Sequence, residues 1–356
     1  MSKVIVTGGC GYIGSHTCIA LLSQGYEVVV FDDLSNASKE SIDRIEKITE
    51  KRPELYRVDL KDKNATIAAF ETHKDAMAVI HFAAYKAVKE SVEQPLQYYE
   101  NNLFSLINTL IALQKFGINN FIFSSSATVY GIPKTCPVTE KSPVSTAFSP
   151  YGNTKKIAEE ILEDCTHSNA EFSIISLRYF NPIGAHKSGK IGELPNGIPN
   201  NLMPYITQTA AGIREQLMVF GNDYPIKDGT AIRDYIHVMD LAEAHVVAAD
   251  HLIHQKQENN FEIYNLGTGI GYSVLEVIKA FETQNNLALN FKITDRRKGD
   301  VPVVFASTEL ASKTLGWSAK RDLNSMVKSA WNWEKITEMK IVDFFNPSVN
   351  HQNQDH

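Results

Sequence analysis

The sequence of 356 residues predicts a doubly wound α/β fold around a parallel sheet, with a second, smaller mixed α/β domain that holds the substrate. Three observations carry that expectation. Short apolar runs alternate with longer helix-patterned stretches, as parallel strands joined by crossover helices require. The runs lack strict two-residue alternation, which fits a central sheet covered by helices on both faces. With 43% hydrophobic residues, a chain of this length exceeds the usual single domain and can build two cores.

Strands are expected over residues 4–6, 28–31, 55–58, 78–82, 121–124 and 172–177, in runs such as VIVTG, EVVVFDD and FIFSSS. Between the first two lies the helix-patterned YIGSHTCIALLSQG. From about Asn181 the chain turns to NPIGAHKSGKIGELPNGIPNNLMPY, rich in Gly, Pro and Asn. That texture is too irregular for another crossover and reads as loops over a cleft. Further on, VMDLAEAHVVAADHLI is an amphipathic helix and EIYNLG a short strand, either of which can return to the first sheet. The expected organisation is therefore a nucleotide-binding domain over 1–180, with returning pieces near 236–266. A smaller domain spans 181–340, and a frayed polar tail 346–356.

Composition narrows the function. A formal net charge of −6 disfavours a broad nucleic-acid surface while leaving room for a local cationic pocket. Cys10, Cys18, Cys136 and Cys165 form no C-x-x-C pair and are too sparse for a disulfide framework, which fits a reducing compartment. The eleven histidines show no ligand spacing, so no metal is expected. The start of the chain has neither a leader pattern nor a span, so a cytoplasmic protein with no membrane partner is expected.

The segment KVIVTGGCGYIGSH places a glycine cluster between the first strand and the first helix. Both Gly9-x-Gly11-x-x-Gly14 and Gly8-x-x-Gly11-x-x-Gly14 fit dinucleotide-binding spacings. Glycine suits the place because backbone N–H groups at a helix start must approach a pyrophosphate closely, and a Cβ would obstruct them. The second strand ends in Asp32, which can accept from the adenosine ribose hydroxyls and would repel a 2′-phosphate, so NAD is preferred to NADP. Asp59, after a third strand, is placed to reach the adenine.

Tyr151 and Lys155 are four residues apart, hence on one face of a helix that begins at Pro150. Tyr85 and Lys89 share that spacing, so position must separate the two pairs. Tyr151 follows FIFSSSATVYG, whose hydroxyls emerge at a carboxyl end of the sheet, where ligands bind in open α/β folds. A tyrosine of ordinary pKa about 10 can serve as a base near neutrality only if its anion is stabilised, as a neighbouring ammonium and a cationic nicotinamide would do. Among Ser124, Ser125 and Ser126, one hydroxyl is expected to bridge Tyr151 and the substrate oxygen, although serine clusters also cap turns.

Taken with HFAAYKAVKESV, SPYGNTKK, LRYFNPIGAH, GIPNNLMPYI, DGTAIRDYIHVMDLA and RRKGDVP, these motifs resemble the nucleotide-sugar C4 epimerases of the extended short-chain dehydrogenase/reductase family, whose cofactor domain is of Rossmann type. The resemblance runs nearly the whole chain up to Trp333. It implies a UDP-hexose substrate, a tightly bound NAD and a homodimer. Tyr151 becomes the acid/base, Lys155 its electrostatic partner and Ser126 the ligand of the substrate hydroxyl. Hydride would leave C4 of the sugar for NAD, and the 4-keto sugar would turn and take it back on its other face. The same resemblance places Gly8, Gly11, Tyr12, Ile13, Gly14, Asp32, Asn36, Asp59, Leu60, Phe82, Ala83, Lys86, Asn101, Ser124 and Tyr179 around NAD, with Tyr151 and Lys155. Around the UDP-sugar it places Phe180, Asn181, Asn201, Leu202, Phe220, Arg233, Arg297, Asp300 and Val304, with Ser126 and Tyr151. Guanidinium forks suit diphosphate oxygens, which agrees with the roles of Arg233 and Arg297.

Relatives that dehydrate nucleotide sugars carry an Asp-Glu pair where this chain has Ala127 and Thr128, so dehydration is disfavoured. The alternatives are another NAD-dependent enzyme acting on nucleotide sugars and a sensor that keeps the fold without the chemistry. The position of Val304 limits the sugar pocket in the family. Valine there leaves room for an acetamido group unless Phe305 fills the space, so UDP-N-acetylglucosamine and UDP-N-acetylgalactosamine are further candidate substrates.

Overall fold

Six strands from the first 180 residues lie side by side: β1 (Lys3–Thr7), β2 (Glu27–Asp32), β3 (Glu54–Arg57), β4 (Ala78–His81), β5 (Asn120–Ser126) and β6 (Ser173–Tyr179). A seventh, β10 (Phe261–Leu266), pairs with β6. The order is β10-β6-β5-β4-β1-β2-β3, and every pairing is parallel. This computed structural model describes residues 2–345 apart from 146, 196, 198, 200, 227, 298 and 299. The expected polar tail, 346–356, lies outside the described residues.

Side-chain alternation along the strands feeds two cores. Val4, Val6, Val28, Val30, Ala78 and Ile80 face one side, where α1 (Tyr12–Ser23) and α8 (Val238–Ile253) pack. Ile5, Val29, Phe31 and Val79 face the other, under α3 (Lys63–Thr72), α5 (Pro95–Phe116) and α6 (Pro150–Ser168). Both faces are dry, which is why the strands read as unbroken apolar runs. Helix α2 (Glu40–Thr49) lies beside α1, and the short α4 (Val88–Glu93) precedes α5. The chain winds outward from β1 in one direction and from β4 in the other. Their carboxyl ends therefore open the crevice where ligands bind in such sheets.

The strand bounds shift slightly from the sequence reading; β6 runs on to Tyr179 and residue 82 lies beyond β4. A larger correction follows Asn181. The segment read as loops contains β7 (Asn181–Ile183), which pairs with β9 (Ile232–His237), and the start of α7 (Leu202–Ala210). Three residues of Asn-Pro-Ile carry no strand signature on their own; the pairing comes from β9. Strand β9 also pairs with β11 (Gly271–Ser273) and β13 (Val303–Val304), while β8 (Leu217–Phe220) pairs with β12 (Phe291–Thr294). A third core gathers Ile183, Ile206, Val219, Phe281 and Met326 under α7, α9 (Val274–Asn285) and α10 (Leu323–Phe345). Among the described residues no helix is long and apolar enough to cross a membrane.

Candidate active site

The turn from β1 into α1 shows why glycine recurs. Gly8 has a φ of +66°, and a Cβ there would lie 2.8 Å from the backbone N of Ala83, in the loop after β4. A Cβ on Gly14 would collide with the Gly8 carbonyl oxygen. A Cβ on Gly9 would lie 2.8 Å from the Val30 side chain, so the turn fits both glycine spacings. No side chain caps α1 at Gly11 and no acidic residue sits in its first turn, so the N–H groups there are left to an anion. This cradle fits the pyrophosphate of a dinucleotide.

Asp32 is buried at the end of β2, where its carboxylate accepts from the N–H groups of Cys10 (3.0 Å) and Leu34 (2.9 Å). It fastens the glycine turn to β2, a duty beyond the expected ribose contact, while burial raises its pKa above the usual carboxylate range. Cys10 takes part only through its amide; burial pushes its thiol up. Around the same crevice stand half-buried Phe82 and Ala83 after β4, and Asn101 on α5, which donates to Asn102 (3.0 Å). Leu60 is buried, whereas Asn36, Asp59 and Lys86 are exposed at the rim.

Helix α6 starts as expected, with Pro150 in its first turn and the Ser149 hydroxyl accepting from the Gly152 N–H (3.1 Å). This start sets Tyr151 and Lys155 one turn apart, facing the carboxyl end of β5. The look-alike pair is separated: Tyr85 precedes α4 and donates its N–H to Asn102 (2.8 Å), while Lys89 points to solvent beside Glu93. Lys155 is 4% exposed and donates to the Ser124 carbonyl at 2.6 Å. Burial pushes its pKa down to about 7, with Glu159 opposing the fall. Burial raises the Tyr151 phenol, and the hydrogen-bonding Ser126 hydroxyl lowers it.

The three serines divide their work by strand alternation. Ser124 pairs its hydroxyl with that of Tyr179. Ser125 points to the other face and donates to Glu159 (2.6 Å). Ser126 faces Tyr151 and also accepts from the Thr128 N–H (3.2 Å), capping the 3-10 turn Ala127–Tyr130. Its capping and site roles coexist. Glu159, four residues beyond Lys155, escaped the sequence reading, yet the repeat Tyr151, Lys155, Glu159 on one helix face was its signal. Its buried carboxylate also accepts from Ser176 (2.8 Å) and, through Nη2 (2.6 Å) and Nε (3.0 Å), from the buried Arg178.

A cavity of about 200 Å³ opens between α7, β7, β8 and β9. Asn181, Asn201, Leu202, Phe220, Arg233, Arg297 and Asp300 all line it. The Arg297 guanidinium lies 3.9 Å over the Phe220 ring, and Arg233 pairs with Asp300. Tyr205 and Tyr235 also line it; an aromatic residue in a helix or strand carries no distinguishing pattern, so the sequence did not single them out. Phe180 and Val304 lie elsewhere, in a small cluster with Val129, Tyr130, Val138 and Ala306. The Phe305 ring lies against Gly271.

A family model described as GDP-mannose 4,6 dehydratase matches residues 5–330. The UDP-glucose 4-epimerase of Bacillus subtilis (strain 168) is 52% identical over 331 residues, spanning 93% of this chain and 96% of that protein. The chain belongs to the UDP-glucose 4-epimerase family. Solved structures of this family superpose closely. That of Stenotrophomonas maltophila, with bound NAD and formylated UDP-arabinopyranose, has a TM-score of 0.92 at 46% identity, covering 96% of this chain and all of its own. That of Bifidobacterium longum, in complex with NAD+ and UDP, has a TM-score of 0.90 at 44% identity, covering 95% and 99%. The dehydratase description of the broader family model does not extend to the chemistry here, since Ala127 and Thr128 stand where a carboxyl pair would be needed.

Proposed function

We propose that the protein interconverts UDP-glucose and UDP-galactose by inverting C4 of the hexose with a bound NAD. The observation that carries this is the meeting of Tyr151, Lys155 and Ser126 at the carboxyl end of β5 without a carboxyl pair, in a chain that also holds a cavity lined by Arg233 and Arg297. When bound, NAD supplies the acceptor and then the donor of a hydride at C4. Tyr151 removes the C4 hydroxyl proton and later returns it, with Ser126 holding the same oxygen. The buried Lys155, fixed on the Ser124 carbonyl, favours the anionic phenol when it is protonated. Arg233 and Arg297 bind the diphosphate and Asp300 the ribose, so the sugar is held by its nucleotide and stays able to turn. A protein that only senses nucleotide sugars would have no need of this proton-transfer group.

The purified protein, with no NAD added, is expected to convert UDP-galactose to UDP-glucose. No conversion with or without added NAD would sink the epimerase reading. A second substrate class rests on the size of Val304: valine, packed in the cluster with Phe180, is smaller than the tyrosine that would narrow the sugar pocket there. UDP-N-acetylgalactosamine should therefore also be converted. Val304→Tyr should largely abolish that conversion and spare UDP-galactose; equal loss of both would remove Val304 from the pocket.

A homodimer fits the apolar stripe on α5, where Leu96 is 81%, Phe104 52% and Ile107 37% exposed. Light scattering should report twice the chain mass for the parent protein and a monomer for Phe104→Glu; a monomeric parent would rule the dimer out. Four free cysteines accord with a cytoplasmic setting. The third core around α7, α9 and α10 supports a substrate domain over 181–340.

A further inference from the structure

We propose that Glu193 is a positioning residue that ties the cofactor side of the crevice to the substrate side. One of its carboxylate oxygens, Oε1, accepts from the Lys86 ammonium (3.2 Å) and from the Asn201 amide (2.8 Å). Lys86 comes from the loop after β4 and also lies over the Tyr12 ring of α1, 5.9 Å from its centroid. Asn201 lines the nucleotide cavity. The proposal rests on the site reading above, which puts Lys86 at NAD and Asn201 at the UDP moiety.

Three features show that this junction is built. Asn201 is the N-cap of α7, a place where asparagine side chains normally accept from the helix start, yet its side chain makes no capping bond. Its amide donates to Glu193 instead. The Glu193 side chain is only 13% exposed, held between Lys86 from the loop after β4 and Asn201 at the start of α7. Its backbone is fixed as well, since the buried Trp333 donates Nε1–H to the Glu193 carbonyl (2.9 Å) and packs so closely on Gly192 that a Cβ there would strike the indole. The Lys86 contact alone would contribute little, because Lys86 is 48% exposed and an exposed ion pair is weak. Sharing one oxygen with Asn201 changes its meaning: a shift of either donor is felt by the other. Such a link makes the two ligands favour one another reciprocally.

The test measures UDP binding by calorimetry and NAD content after denaturation, with kcat and KM for UDP-galactose alongside. Glu193→Ala should weaken UDP binding by about 5- to 150-fold, the usual span of coupling between sites. It should also raise KM more than it lowers kcat and leave less NAD in the purified protein. Glu193→Gln keeps an acceptor for Asn201 and should recover part of the UDP affinity; it carries the test if the alanine variant does not fold. In an Asn201→Ala background, Glu193→Ala should cost no further UDP affinity, which a general structural defect would not reproduce. If Asn201→Ala itself leaves UDP affinity intact, the placement of Asn201 in the site fails. If Asn201→Ala weakens UDP while both Glu193 variants bind it like the parent, the positioning role of Glu193 is overturned.

Discussion

Tyr151→Phe is expected to lower kcat by about 10²–10⁴-fold, the usual contribution of a positioned acid/base, while KM and bound NAD stay close to the parent values. The phenyl ring keeps the packing at the start of α6 and loses only the hydroxyl. Ser126 and Lys155 retain their own partners in Thr128 and the Ser124 carbonyl, so the loss falls on proton transfer rather than on assembly of the site. Steady-state kinetics with UDP-galactose and the NAD content of the purified variant check both halves. Full activity would remove Tyr151 from its role.

Glu159→Gln carries the largest expected effect on stability. The Glu159–Arg178 pair lies within a layer that also holds Ser125, Ser176 and Tyr130, and both partners are nearly sealed from water. Losing one charge leaves the Arg178 guanidinium buried without its counter-ion, a change that costs about 3–5 kcal/mol in comparable pairs. Urea denaturation should show that loss, and Glu159→Met with Arg178→Met should recover a good part of it, since well-packed apolar replacements often match a buried pair. Glu159→Gln should also move the titration of Lys155 below its value of about 7, because Glu159 is the group that holds it up against burial. NMR of isotopically labelled lysine would follow the shift. Unchanged stability would show that the pair does not brace the site.

How much of this was legible in the sequence depended on whether a residue acts through local pattern or through distant contact. The parallel sheet was readable because each strand buries both faces, as Ile5 and Val6 do toward opposite cores. The glycine turn was readable as a motif, but why it excludes side chains became clear only from the approach of Gly8 to Ala83 and of Gly9 to Val30, neighbours brought in by the fold. Tyr151 and Lys155 share a helix face, so their spacing announced them; Tyr85 and Lys89 share the spacing without the helix, and only the structure divides the pairs. Strand β7 was missed because its pairing belongs to β9, about 50 residues away. Glu159 and Glu193 were missed for a related reason. The repeat Tyr151, Lys155, Glu159 marks a shared helix face but not the partner Arg178, and Glu193 in its Gly-Pro-rich segment looks like solvated charge until Lys86 and Asn201 are seen around it.

The central claim is that the hydride leaving C4 is kept in the site and returned to the same carbon. Conversion of UDP-galactose carrying deuterium at C4, in ordinary water, tests it most directly by NMR of the product. UDP-glucose that retains deuterium at C4 is the expected result. Replacement of that deuterium by solvent hydrogen would contradict it.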